Sequence, residues 1–351
     1  MVFLLMIELV FRALYPMDLF RPHWLASSTS KKKTNFQLDS ELIYSMKPGS
    51  SGAWKTEEFI EVSKINSLGL RNEEISPRKE KFRILVLGDS FTFGHGVDLG
   101  QSYPKELERL IKDFYREDVE VINAGIKGYD FDQEYRFFTT RLIDLEPNLL
   151  IVTLGQGDFS WSCDLPLYDL VDGELVPLEA TKTWLYLQAF LYTKAPSWLK
   201  KSHLFVYSLQ SLRGRNLFRL DFQREGGNLR EACRPWSYKK ARKQLSNLRG
   251  IGEQKGFKLL IVFTPILGGG DRTFKNLKEF KEILKRNDFF FVDANQDKSL
   301  SAKKDAQEVL GTETINWQEL SFKNEAHLNP QGNVLFAEVV FVGIVKGGLL
   351  E

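Results

Sequence analysis

The sequence predicts an α/β protein built on a doubly wound, mostly parallel sheet. Three observations carry this. Short apolar runs recur at Ile84–Leu87, Val119–Asn123, Leu149–Leu154, Phe257–Phe263 and Phe289–Val292. Runs this short, bounded by turn residues, suit strands buried on both faces better than helices. Between them lie segments with apolar residues at helical spacing, the alternation expected of parallel strands joined by crossover helices. Finally, the first three runs end in Gly88-Asp89-Ser90, Asn123-Ala124-Gly125 and Gly155-Gln156-Gly157-Asp158. Carboxyl ends of parallel strands are where open α/β sheets bind ligands.

Composition narrows the function classes. The chain has 351 residues, 43% of them hydrophobic and 27% charged, ordinary for a globular protein with a large core. A net charge of +2 provides no electrostatic footprint for nucleic acid. Two cysteines, Cys163 and Cys233, exclude a disulfide scaffold and allow at most one bridge, which stays open. Four histidines and no CxxC argue against a structural zinc site. No metal and no organic cofactor are assigned.

In chain order, residues 2–16 are the most apolar terminal stretch. As a helix it spans only ~22 Å, short of a ~30 Å hydrocarbon core. Three readings stay open: the end of a truncated membrane anchor, an interfacial amphipathic helix, or a packed terminal helix. Residues 17–80 read as an N-terminal extension. Within it, 27–34 form a polar linker, Trp54–Leu70 alternates in places (Phe59, Val62, Ile65) as an edge hairpin would, and 78–81 make an exposed charged connection.

The main domain runs over residues 81–351. Helices are expected near 103–115 (Tyr103, Leu107, Leu110, Ile111 and Phe114 on one face), 131–145, 237–255, 274–286 and 330–345, the last opened by Pro330. Residues 160–235 break the rhythm. They read as a helical insertion on both sides of Pro196, with Trp184, Leu187, Leu191, Leu204, Tyr207 and Leu212 at helical spacings. It is either plain packing or a lid or membrane-facing surface, since aromatics beside Lys and Arg suit an interface.

A fourth motif, His327-Leu328-Asn329-Pro330-Gln331-Gly332-Asn333, opens the last helix. The topology brings it and the three strand-end motifs to one edge of the sheet. Taken singly each has a plain reading: an ordinary turn at Ser90, a surface or capping histidine at 327, a helix cap at Asp158. His95 and His203 read as packing or surface residues.

Together the motifs resemble those of the SGNH/GDSL hydrolase superfamily of esterases, lipases and acetyl hydrolases. GDSFTFGHGV, NAGIKGY and HLNPQGN carry the likeness, over roughly residues 66–345. Glu8, Arg12 and Pro16 match the Glu-x-x-x-Arg-x-x-x-Pro pattern that ends the amino-terminal span of bacterial membrane-anchored members. The resemblance implies a flavodoxin-like three-layer α/β/α fold with a five-stranded sheet, and an extracytoplasmic, membrane-anchored catalytic domain. It implies Ser90 as nucleophile and His327 as base, with the Ser90 and Gly125 N–H groups as oxyanion donors. Asp89 supports the nucleophile.

Two positions depart from the pattern. Where the family's third block has Asn, this chain has Gly157, with Gln156 beside it as a possible amide and Asp158 after it. Where the family has Asp before the His, this chain has Glu325 and Asn324; Glu325 keeps a carboxylate and is assigned as the acid. The implied activity is hydrolysis of acyl or acetyl esters of lipids or envelope glycans. The alternatives are an O-acyltransferase using the same site on a sugar hydroxyl, or a non-catalytic binding module.

Overall fold

A computed structural model describes residues 6–10, 35–155, 157–161, 166–205, 207–208, 229–267, 271–295 and 316–351. Arg12, Pro16, Gln156, Cys163 and Leu212, with the 27–34 linker, lie outside these residues.

The chain first forms two antiparallel hairpins. β1 (Phe36–Asp39) pairs with β2 (Ile43–Met46), and β3 (Ser51–Lys55) with β4 (Ile60–Lys64). Each is a separate two-stranded sheet, so the expected hairpin exists but does not extend the main sheet. Period two explains β4: Glu61 and Ser63 face inward and are buried, while Ile60, Val62 and Lys64 face solvent.

The main sheet follows. β5 (Phe82–Gly88) leads through the one-turn helix Ser90–Phe93 to α1 (Tyr103–Phe114), then β6 (Val119–Gly125), α2 (Phe131–Phe137) and β7 (Leu149–Leu154). The insertion contributes a small hairpin, β8 (Tyr168–Val171) with β9 (Glu174–Pro177), and α3 (Trp184–Lys194). The α/β rhythm resumes with α4 (Leu229–Lys255), β10 (Lys258–Phe263), α5 (Asp271–Lys285), β11 (Phe291–Asp293) and α6 (Pro330–Lys346).

All pairings in the five-stranded sheet are parallel, in the order β11-β10-β7-β5-β6. Counted along the sheet strands alone this is 2-1-3-4-5, the flavodoxin-like order, whose switch point lies between β5 and β7. The expected fold class is therefore the observed one.

Strand alternation sends side chains to two cores. Ile84, Val86, Val121 and Ile151 meet α1 and α6 through Tyr103, Leu107, Ile111, Phe336 and Val340. Leu85, Leu87, Ile122 and Leu150 meet α2, α4 and α5 through Tyr135, Tyr238, Leu245 and Phe280. Two cores flanking one sheet make three layers. Phe114, expected on the buried face of α1, is exposed at the end of that helix. Residues 42–44 are buried in the second core, so the segment before β5 is packed on the domain.

Candidate active site

Ser90 sits where β5 ends. Gly88 holds φ +157°, and a Cβ there would collide with Thr92, so only glycine lets the strand turn this tightly into the helix. Asp89 caps that helix by accepting from Phe91 N–H at 2.9 Å, which leaves Ser90 as its first residue.

The following loop is held by Arg71, which is 1% exposed. Its guanidinium donates to the carbonyls of Phe93 (2.9 Å), Gly94 (2.7 Å) and Val97 (2.7 Å). Nothing in the local spacing marked Arg71 for this work.

His327 lies in a tight loop before α6. Phe322 N–H donates to His327 O at 3.0 Å, Asn329 N–H donates to Leu320 O at 3.0 Å, and Ser321 and Leu328 form an antiparallel bridge. Asn329 caps α6 by accepting from Gly332 N–H at 2.9 Å. Asn333 accepts from Tyr103 N–H at 3.0 Å, tying α6 to the start of α1. From the other side, the Glu58 carboxylate accepts from the N–H groups of Lys323 (2.8 Å) and Asn324 (2.9 Å).

This construction brings His327 Nε2 to 2.8 Å from Ser90 Oγ. That is hydrogen-bond distance for a nucleophile and its base. His327 Nδ1 is buried and has no hydrogen-bond partner among the described residues. The Glu325 carboxylate is not bonded to it, although one Glu325 oxygen and one nitrogen each of His95 and His327 lie within 4.8 Å of one another. Glu325 contributes its backbone instead, its carbonyl accepting from His327 N–H at 2.8 Å. Asn324 is exposed, with its N–H turned to Glu58.

The oxyanion side is mixed. Gly125 N–H donates to Asn123 Oδ1 at 3.0 Å. Space around Gly125 is closed, because a Cβ would meet the Phe93 backbone. Gly157 opens a short helix, Gly157–Trp161, and a Cβ there would meet nothing. Asp158 is buried and accepts from Gly155 N–H at 2.5 Å. Gly128, in the loop after β6, holds φ +76°.

A polar cluster escaped the sequence reading. His95, expected to be packing or surface, is buried with its ring edge-on to His327 at 4.6 Å between centroids. Its Nδ1 bonds Glu61 Oε2 at 2.6 Å. Glu61, on β4, also accepts from Lys127 Nζ at 2.7 Å on both oxygens and from Gly96 N–H at 3.0 Å. Lys127 in turn covers the rings of Trp54 (5.0 Å) and Phe93 (4.6 Å). The signal was the hairpin's alternation, which put one acid, Glu61, on the inner face.

The electrostatics follow from burial and these charges. Burial, then His95 and Lys127, pushes His327 down to about 3. Burial alone would raise Glu61, but the His95 bond and the Lys127 charge hold it well below the carboxylate range. Burial lowers Lys127 to about 8 against the pull of Glu61. Burial raises Asp89 to about 6. Near neutral pH His327 is thus an unprotonated imidazole, as a general base must be.

Among the two cysteines, Cys233 is buried and carries no free thiol.

No family model matches the chain, and no curated protein matches it either. Solved structures with a similar arrangement include a protein assigned to the lipolytic G-D-S-L family from Desulfitobacterium hafniense, at 13% identity and TM-score 0.40, over 75% of this chain and 99% of that one. Axe2, an acetylxylan esterase from Geobacillus stearothermophilus, aligns at 13% identity and TM-score 0.41, over 76% of this chain and 96% of its own. TesA aligns at 14% identity and TM-score 0.41, over 75% and 98%. At this degree of likeness, any catalytic reading rests on the geometry of Ser90 and His327 in this chain.

Proposed function

We propose that the chain is a serine esterase of the SGNH/GDSL type, acting on acyl or acetyl esters of lipids or envelope glycans. The observation that carries this is the 2.8 Å contact between Ser90 Oγ and His327 Nε2, at the carboxyl end of β5. A free serine hydroxyl is a weak nucleophile, and a neutral imidazole at that distance activates it.

In the proposed cycle, His327 Nε2 takes the Oγ proton as Oγ attacks the ester carbonyl. The oxyanion is met by backbone donors, Ser90 N–H first. Collapse expels the alcohol, which leaves with the proton from Nε2, and Ser90 keeps the acyl group. Water, deprotonated by Nε2, then attacks the acyl-enzyme and releases the acid. Glu325 acts as the orienting acid by turning its carboxylate onto Nδ1 when the imidazolium forms. Gly125 serves as a second donor once its N–H leaves Asn123. Removing one such donor typically costs ~10²–10³ in rate.

Attachment to a membrane through the amino-terminal segment, with the domain outside the cytoplasm, belongs to the same proposal. In its support, Trp198 is 72% exposed between Lys194 and the pair Lys200 and Lys201, and Leu9 is 62% exposed in the helical segment 6–10. Exposed aromatic and aliphatic groups beside lysines suit a lipid interface. Glu8 joins the two regions by accepting from Ser202 Oγ at 2.8 Å and His203 N–H at 2.9 Å. No helix among the described residues is long and apolar enough to cross a membrane.

The test is labelling of the full chain with a fluorophosphonate probe, together with turnover of short p-nitrophenyl esters. Both should vanish in Ser90→Ala and in His327→Ala. Labelling that survives Ser90→Ala would overturn the assignment.

A further inference from the structure

We propose that a zinc-type divalent cation binds between His95, His327 and Glu325 and switches the site off. Two of the chain's four histidines meet here, and one nitrogen of each lies within 4.8 Å of the other and of a Glu325 oxygen. Two imidazoles and a carboxylate are a donor set suited to Zn²⁺.

Three features make this more than a chance gathering. Glu61 bonds His95 Nδ1 at 2.6 Å, so Nε2 is the nitrogen left to ligate. A carboxylate behind a ligating imidazole is the usual outer support of such a site. Ser90 Oγ takes His327 Nε2, which leaves Nδ1, and that atom is buried with no partner among the described residues. Glu325 makes no side-chain hydrogen bond among the described residues, so its carboxylate is available. Zinc–nitrogen and zinc–oxygen bonds of about 2 Å require the three groups to close by roughly an ångström, a side-chain adjustment on a loop. Lys127 is tied to Glu61 by both carboxylate oxygens, so its Nζ is hydrogen-bonded to that carboxylate rather than to Glu325.

Inhibition rests on the esterase reading. A cation on Nδ1 withdraws electron density from the ring and occupies the atom Glu325 would bind. His327 can then neither accept the Ser90 proton easily nor carry it as imidazolium. Binding does not rest on that reading, and the two are tested apart.

Calorimetry of the unaltered chain with ZnCl₂, in the absence of any ester, should show one zinc per chain at this site. Glu61→Gln should weaken that binding about 10- to 100-fold, the usual cost of losing such a partner. His95→Gln should weaken it at least as much. Because both residues are buried, Co²⁺ added to the unaltered chain is the second measurement, and it should give the visible absorption of a low-coordinate nitrogen–oxygen site. On the unaltered chain zinc should also suppress ester turnover, with recovery on chelation. Absence of the cobalt band, or affinity unchanged in both variants, overturns the site. Zinc binding in a chain without Ser90-dependent turnover would overturn the esterase instead and leave the site standing.

Discussion

His327 Nε2 and Ser90 Oγ stand 2.8 Å apart although 237 positions separate them in the chain. Two independent frames hold the pair. The β5 turn fixes the serine, and the 320–329 loop, gripped by Glu58, fixes the histidine. Among the described residues Nδ1 of that histidine has no hydrogen-bond partner, and the first prediction concerns that gap.

If Glu325 supplies the missing charge, Glu325→Gln should lower kcat by roughly 10²–10⁴ with little change in KM. The upper figure is that of an Asp→Asn change in a serine-protease triad. Asn324→Ala should change kcat by less than about threefold, because that side chain lies on the exposed side of the loop. Steady-state kinetics on both variants decides it. Equal losses would mean that Glu325 is not the acid.

The pH profile provides a second check. His327 is held down to about 3, so the acid limb of kcat/KM should lie well below pH 6 rather than near the ordinary histidine value. Lys127 contributes to that depression and itself loses its proton near pH 8. Its neutralisation relieves repulsion of the developing imidazolium, so kcat/KM should step upward through about pH 8. Lys127→Met should abolish the step and raise the acid limb toward neutrality. A profile with an unshifted limb near 6.5 in both proteins would contradict the sign argued here.

Much of this was legible in the sequence, and the missing parts share a physical reason. The sheet was readable because β5, β6, β7 and β10 are buried on both faces and so read as unbroken apolar runs. Ser90 and His327 were readable because strand ends and helix starts are marked by glycine, proline and capping residues. Glu61, Arg71, His95 and Lys127 were not. They come from a half-buried hairpin and from loops, where a single inward polar residue looks like any solvated one. Only tertiary packing shows that Arg71 gathers four carbonyls, Val62 O among them, or that Glu61 serves His95 and Lys127 together. The assigned acid is a separate case: Glu325 was named from the sequence, but whether its carboxylate reaches Nδ1 is set by loop conformation rather than by any periodic pattern.

Arg71 yields the third prediction. It replaces three lost solvent contacts for the carbonyls of Phe93, Gly94 and Val97, all in the segment that follows Ser90. Hydrogen bonds to a charged group contribute more than neutral ones, and buried acceptors left unpaired are costly. Arg71→Ala should therefore destabilise the fold by roughly 3 kcal/mol. Among molecules still folded, kcat should fall more than KM rises, since the held segment follows Ser90 directly and carries His95. Denaturant unfolding and kinetics on the same preparation separate the two effects. Unchanged stability would show that the clamp is dispensable.

The last prediction comes from a group of buried carboxylates that interact with Asp89. Both Glu134 oxygens, Asp158 Oδ1 and Asp130 Oδ2 are buried without hydrogen-bond partners among the described residues. Burial, then mutual repulsion with Asp158, Asp89 and Asp130, raises Glu134 well above the ordinary range. Burial and Asp132 raise Asp130 to about 8, and burial raises Asp89 to about 6. The folded chain therefore holds protons that the unfolded chain releases near pH ~4. With more protons bound in the native state, stability falls as pH rises. This contribution is complete below pH ~4 and is lost through about 6 for Asp89 and about 8 for Asp130. Glu61, held low, acts in the opposite sense, but only below its unfolded value near ~4. His327, held to about 3, adds stability with rising pH up to its unfolded value near 6.5, and Lys127 does so above about 8, so thermal unfolding followed by calorimetry should show Tm declining between about pH 7 and pH 8. Glu134→Gln, which removes one of these protons' sites while keeping the shape, should raise Tm by about 2–5 °C at pH 8 and hardly at all at pH 4. A Tm that climbs with pH across this window would mean that the cluster is ionised in the fold and compensated by a group not yet identified.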